Sequence, residues 1–271
     1  MPANTANLDT ELLAYQDNLY TTPPHKVSFF SRIAPTPVFY WKFLTNVYRS
    51  SGQARKGKYD AARWSETSHH VLTALESVGV NVEISGVEHL RQLDSPCVIV
   101  GNHMSMLETI VLPAIVQPVK DVTFVVKQSL LDYPVFRHIL RSRDPIAVTR
   151  DNPREDFKSV MQGGTERLSN GRSIVVFPQT TRSKTFEPEN FNTIGAKLAL
   201  KARVPIVPLA LMTDAWSNGK RIKDFGPILP TKKVRFAFGE PIVMSGRGAE
   251  QHQQTIDFIE SKLRSWHSRS E

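Results

Sequence analysis

The sequence predicts an α/β protein: a mixed, largely parallel sheet flanked by helices, with an N-terminal helical segment in front of it. Three observations lead there. Short apolar runs of strand length recur from Val80 onward, Cys97–Val100 and Val122–Val126 among them. Segments of helical periodicity lie between several of these runs, and strands alternating with helices build parallel sheets. The composition, 40% apolar and 9% aromatic over 271 residues, is that of a globular chain long enough to bury a full core without a disulfide or metal staple.

The elements follow in order. Pro23-Pro24 separates an N-terminal arm from the rest. Val38 to Arg49 is rich in aromatics, with Lys42 and Arg49 interleaved. As a helix it would be mostly apolar, suited to packing on the main domain or to a membrane interface, which Trp and Tyr favour; both readings stay open. Ser50–Lys58, with Gly52, Gly57 and three basic residues, reads as a loop. Asp60–Val78 places Ala61, Trp64, Val71, Leu72, Leu75 and Val78 at near-helical spacing, and Gly79 is a stop signal. Val80–Ile84 alternates as a strand does, Gly86 turns it, and Val87–Leu93 is a short helix. Cys97–Val100 is a buried strand, Glu108–Val116 is helical in pattern up to Pro113, and Val122–Val126 is a second buried strand. Ile146–Val148, Ser173–Phe177, Ile206–Leu211 and Val234–Phe238 are further strands, with helices over Asp156–Leu168, Gly195–Ala202 and Gln251–Trp266. The expected organisation is a helical segment over residues 1–79, for which membrane association stays open, and an α/β domain over 80–271.

Several classes are excluded. The single cysteine, Cys97, rules out an internal disulfide framework and suits a reducing compartment; within an apolar strand it reads as inert core. No apolar run approaches the ~18 residues of a membrane-spanning helix, and Met1–Gln16 has no basic residue before an apolar stretch, so neither a transmembrane helix nor a signal peptide is expected. The net charge is +8, and between Lys197 and Arg235 nine basic residues face only two acidic ones, Asp214 and Asp224. Such a segment attracts nucleic acid, anionic lipid or a phosphorylated substrate. No helix-turn-helix, zinc or RNA-binding pattern accompanies it, so nucleic acid is not expected. His69-His70 are adjacent and no His/Cys/carboxylate set has ligand spacing, so no metal is expected.

Chemistry concentrates where Cys97–Val100 runs into Gly101-Asn102-His103-Met104-Ser105-Met106-Leu107-Glu108. Ser105 and Glu108 form a Ser-x-x-Glu capping box, which alone would explain both. On one regular helix His103 and Glu108 would point about 140° apart. They can meet if His103 lies in the loop and Glu108 in the first turn. A carboxylate beside an imidazole fixes its tautomer and stabilises its charged form, which makes a general base.

Asn102–Glu108 resembles the first motif of the glycerolipid acyltransferases, in which a histidine is followed after four residues by an aspartate. Phe177-Pro178-Gln179-Thr180-Thr181-Arg182-Ser183 resembles their third motif. Lys127, Leu130, Pro134 and Ile146-Ala147-Val148-Thr149-Arg150 resemble the second, and Val204-Pro205-Ile206-Val207-Pro208-Leu209 the fourth. The order matches the family's over about residues 81–240. Within it, the chain is most similar to the lysophosphatidic acid acyltransferases of phospholipid synthesis.

The resemblance implies the glycerolipid acyltransferase fold and an O-acyltransferase that moves a fatty acyl group from an acyl thioester to the hydroxyl of a lysophospholipid, 1-acylglycerol 3-phosphate in the first place. The donor would be acyl-CoA or acyl-ACP as co-substrate, with no cofactor. By analogy His103 takes the hydroxyl proton and Glu108 holds His103. Arg182 is the family's phosphate ligand, Arg150 and Lys127 are second-motif candidates, and Thr180 and Thr181 can donate to phosphate or oxyanion. The partner would be a membrane surface carrying the lysophospholipid acceptor, which implies a peripheral place on the cytoplasmic side of a membrane. The chain departs from the pattern at Glu108 (for Asp), Gln179 (for Glu) and Thr180 (for Gly). These departures motivate an alternative, a catalytically weak lipid-binding membrane-surface protein on the same scaffold.

Overall fold

The computed structural model describes residues 12–179, 181–219 and 222–268. Apolar runs without alternation suit strands covered on both faces, and the sheet is built from them. β1 (Leu19–Thr21), β2 (Val82–Ser85), β3 (Val98–Gly101), β4 (Val122–Lys127), β5 (Ile146–Val148), β6 (Ser173–Val176), β7 (Ile206–Met212) and β8 (Val234–Phe238) run in the order β1-β2-β8-β7-β3-β6-β4-β5. Only β1 with β2 and β7 with β8 pair antiparallel; the other pairings are parallel, giving the mixed, largely parallel sheet expected. Around it lie α1 (Phe29–Ile33), α2 (Pro35–Arg55), α3 (Ala61–Glu76), α4 (Glu88–Arg91), α5 (Leu107–Val116), α6 (Phe136–Ser142), α7 (Pro153–Ser169), α8 (Ile194–Ala202) and α9 (Ala249–Ser268).

Central β3 shows how the sheet divides the core. Ile99 joins one apolar cluster with Phe39 of α2, Leu72 of α3 and Leu112 of α5. Val98 and Val100 join the other, with Val160 of α7, Leu198 of α8 and Ile259 of α9. Val100 is level with Val176 of β6 and Pro208 of β7, so the loops after parallel β3, β6 and β7 leave the sheet side by side. Sites in such sheets form at these carboxyl ends.

The structure departs from the sequence reading at five elements. Ser50–Arg55 is not loop but the last part of α2. Ser50 and Ser51 are buried, the Ser50 hydroxyl donates to the Asn46 carbonyl at 2.8 Å, and the chain turns only at Gly57, with φ +67°. α5 continues through Pro113 to Val116, because eight of its ten residues are buried and packing outweighs one lost backbone bond. β1, α1 and α6 are too short to show a period.

The aromatic stretch has two faces. Phe39, Phe43 and Val47, for which core and interface both stood open, are core, with Phe39 and Phe43 4.9 and 5.0 Å from the Trp216 ring. Trp41 (77% exposed), Leu44 and Tyr48 (75%) form the outward face, and Phe29, Phe30 and Ile33 of α1 are exposed too. Among the described residues no helix is long and apolar enough to cross a membrane.

Candidate active site

β3 ends at Gly101, and the next residue is locked in place. Asn102 donates from Nδ2 to the Leu211 carbonyl at 2.9 Å, and its Oδ1 accepts from Leu211 N–H at 2.8 Å. This clamp to β7 fixes where His103 starts. His103 precedes α5 in the loop and Glu108 is in its first turn, so the two meet: Nδ1 lies 2.9 Å from Glu108 Oε1. The same oxygen accepts from the N–H groups of Met104 and Ser105 at 2.7 and 2.9 Å. The capping box is half formed, since Ser105 Oγ accepts from Leu107 N–H, not from Glu108 N–H.

Glu108 is fully buried, and Thr213 Oγ1 donates to its Oε2 at 2.6 Å. Burial works to raise its carboxyl pKa. The hydrogen bond and charge of His103, the Thr213 hydroxyl and the Ser105 N–H outweigh that and hold it below its ordinary value. An ionised Glu108 accepts only, so Nδ1 carries the proton of neutral His103 and the Nε2 lone pair is open. Nε2 makes no hydrogen bond among the described residues, and the ring lines the cavity below. This is the arrangement of a general base whose conjugate acid is stabilised from behind.

The loop after β6 is bolted to the same residue from both sides. Gln179 Oε1 accepts from His103 N–H at 2.6 Å, the His103 carbonyl accepts from Ser183 N–H at 2.9 Å, and the Phe177 ring stacks on the imidazole at 4.6 Å. Gln179 thus serves through its carbonyl oxygen, which a glutamate would also offer.

A cavity of about 800 Å³ opens at His103. Of the candidate substrate-binding residues, Lys127, Arg150, Thr181 and Arg182 line it; Thr180 lies outside the described residues. Arg150 stands at φ +68°, its turn held by Asp156, which accepts from the N–H groups of Thr149 and Arg150, both at 2.7 Å. Desolvation and then the neighbouring Arg182 charge press the Arg150 pKa down, with Asp156 opposing. Two guanidinium groups that repel across a cavity favour an anion between them. Arg182 is not free: its Nη1 donates to Asp224 Oδ1 at 2.5 Å, on the chain between β7 and β8. Its Nε and Nη2 make no hydrogen bond among the described residues. Cys97 is buried, and burial pushes its thiol up to about 11, as inert core.

Asn102 stands in the first motif but drew no role of its own from the sequence, and Thr213, Asp156 and Asp224 were missed as parts of the site. Of these three only Asp156 carried a local signal, an acidic residue in the first turn of α7.

A histidine held by a buried carboxylate shares a cavity with two arginines at the carboxyl ends of a parallel sheet, and residues 81–212, just under half of the chain, match the acyltransferase family model. The chain is 33% identical over 132 residues to the 1-acyl-sn-glycerol-3-phosphate acyltransferase of Pseudomonas aeruginosa, covering 49% of each chain. Over 155 residues it is 30% identical to the chloroplastic 1-acyl-sn-glycerol-3-phosphate acyltransferase BAT2 of Brassica napus, covering 55% of this chain and 44% of that one. The chain spans about half the length of the curated relatives it matches. Its fold is similar to the crystal structure of the 1-acyl-sn-glycerophosphate acyltransferase of Thermotoga maritima, with a TM-score of 0.68 at 19% identity over 87% of this chain and 96% of that one.

Proposed function

We propose that this chain transfers a fatty acyl group from a thioester, acyl-CoA or acyl-ACP, to the free hydroxyl of 1-acylglycerol 3-phosphate. One observation carries the reading: the His103–Glu108 pair stands at a cavity that Arg150 and Arg182 also line. His103 Nε2 takes the hydroxyl proton as the oxygen attacks the thioester carbonyl, and Glu108 stabilises the imidazolium that forms. The thiolate then leaves and accepts the proton back. The activated donor makes a covalent enzyme intermediate unnecessary. Beyond the charged mouth the lining turns apolar, with Ile110, Phe124, Val126, Phe136 and Ile139, which suits an acyl chain.

The acceptor lives in a bilayer, so the chain must meet one from its cytoplasmic side as a peripheral protein. The outward face of α2 with α1, bearing Trp41, Leu44, Tyr48, Phe29, Phe30 and Ile33, is the contact we assign to it. The alternative of a weakly catalytic lipid-binding scaffold drew on Glu108, Gln179 and Thr180; the first two engage His103 with hydrogen-bond geometry, which favours the enzyme, and Thr180 lies outside the described residues. The test is turnover by purified protein with lysophosphatidate and both donor types. No acyl transfer from either donor to any lysophospholipid would overturn the proposal.

A further inference from the structure

The inner end of the cavity is built unlike its apolar middle. It lies among Tyr59, Trp64, Thr67, Thr123 and Arg143, at the opposite end of β4 from Lys127. A cavity for a plain hydrocarbon needs an apolar end, and here the end carries a guanidinium. Arg143 is 9% exposed, and its Cζ lies 5.0 Å from the centre of the Trp64 ring. Its Nε is sealed from solvent with no hydrogen-bond partner, and Arg143 lines the cavity.

The rest of the guanidinium is poorly matched as well. Nη2 lies 3.8 Å from Asp121 Oδ1, beyond hydrogen-bond range. Asp121 is already engaged, accepting from Arg172 Nε at 2.8 Å and from Gln117 Nε2 at 3.1 Å. The nearby polar groups are spent elsewhere. The Tyr59 hydroxyl pairs with Thr67, Asn46 donates to the Thr67 carbonyl, and Thr123 Oγ1 donates to the backbone carbonyl of Arg143. A buried cation whose donors lack acceptors is unfavourable unless something else supplies them.

We propose that this inner end is a subsite for an oxygen function at the far end of the acyl chain, a hydroxyl or carboxylate that accepts hydrogen bonds from the Arg143 guanidinium. The inference rests on the acyl-transfer reading of the cavity. The sheet register sets the reach. Thr123 is level with Ile174 and Ile174 with Val98, five positions before His103. At roughly 3.3 Å per residue along the strands and two strand spacings of about 4.8 Å across from β3 to β4, this is about 19 Å, on the order of twelve to fifteen carbons of extended chain.

The test compares dodecanoyl, ω-hydroxydodecanoyl and dodecanedioyl thioesters of coenzyme A on the full chain. At least one oxygenated donor should have a KM roughly tenfold below that of dodecanoyl, the scale of one hydrogen bond to a charged group. Arg143→Leu should erase that preference while still accepting dodecanoyl. Equal KM values in the parent, or a preference that survives Arg143→Leu, would overturn the subsite. Should that variant fail to fold, the parent's thermal unfolding with the free acids decides: dodecanedioate or ω-hydroxydodecanoate should raise Tm more than dodecanoate, and equal shifts overturn the subsite. Dodecanoyl transfer with no gain from oxygen sinks the subsite alone. Stabilisation by the oxygenated acids without turnover of any donor sinks the transfer reading and leaves the subsite standing.

Discussion

Replacing Glu108 by Gln removes a charge from a fully buried side chain while keeping its shape. With the new carbonyl in the Oε1 position, the donors on His103, Met104 and Ser105 stay satisfied. The new amide meets the hydroxyls of Ser105 and Thr213, which can turn to accept. The fold should therefore survive and the charge alone should be lost. A hydrogen bond to a charged group contributes ~1.5–3 kcal/mol against ~0.5–1.5 for a neutral pair, a difference of about 1–1.5 kcal/mol. That difference falls on the state in which His103 has taken the hydroxyl proton, so it raises the barrier and leaves ground-state binding alone. At 1.36 kcal/mol per decade the kcat for acyl transfer should fall about tenfold, with both KM values unchanged. A variant with the parental kcat would refute the role given to the carboxylate.

The same substitution has a pH signature. The folded carboxyl of Glu108 sits below the ~4.3 of an unfolded glutamate, so between the two values the unfolded chain binds more protons. Its contribution to stability is fully present above that window and is lost as pH falls through the depressed folded value. The Tm gap between parent and Glu108→Gln should accordingly shrink below about pH 4.

His103→Ala should cut turnover by ~10²–10⁴ with an unchanged circular dichroism spectrum, and full turnover would remove it as the base. Arg182→Ala should raise the KM for the phosphorylated acceptor by about tenfold or more and leave the donor's unchanged; Asp224→Asn, which loosens Arg182, should raise it less. Equal effects on both substrates would make Arg182 structural. Trp41, Leu44 and Tyr48 replaced together by Ser should reduce co-sedimentation with anionic vesicles without lowering Tm, and undiminished binding would move the contact elsewhere. Phe43→Ser should instead destabilise the fold by about 3–5 kcal/mol in denaturant titration, because Phe43 is core.

The sheet was legible because its strands are buried on both faces: Val98, Ile99 and Val100 are all apolar since each needs a core. The His103–Glu108 pair was legible because it is local, made by five residues of chain and a helix start. What could not be read arrives from afar. Thr213 and Asp224 come to the site across the sheet, and only the strand order brings β7 beside β3. α2 failed for another reason. Phe39, Phe43 and Val47 recur at helical spacing, and so do Trp41, Leu44 and Tyr48. Both stripes are apolar, so periodicity cannot say which is inside; the Trp216 ring, 177 residues beyond Phe39 in the chain, decides it.

α2 also joins the outward face to the catalytic mouth. Tyr40, next to exposed Trp41, donates to the Gly226 carbonyl at 2.7 Å and accepts from Trp216 Nε1 at 3.0 Å. One turn earlier, Thr36 Oγ1 accepts from Ile228 N–H at 3.0 Å. Gly226 is tied down so closely that a Cβ there would stand 1.9 Å from the Ser217 carbonyl oxygen. These contacts fix the segment that carries Asp224, and Asp224 holds Arg182. A helix that rests its outer stripe on lipid would therefore also set where Arg182, the proposed phosphate ligand, stands. In the proposed reaction the acceptor would enter from that same lipid, so one element would settle both how the protein meets the membrane and where the head group is received.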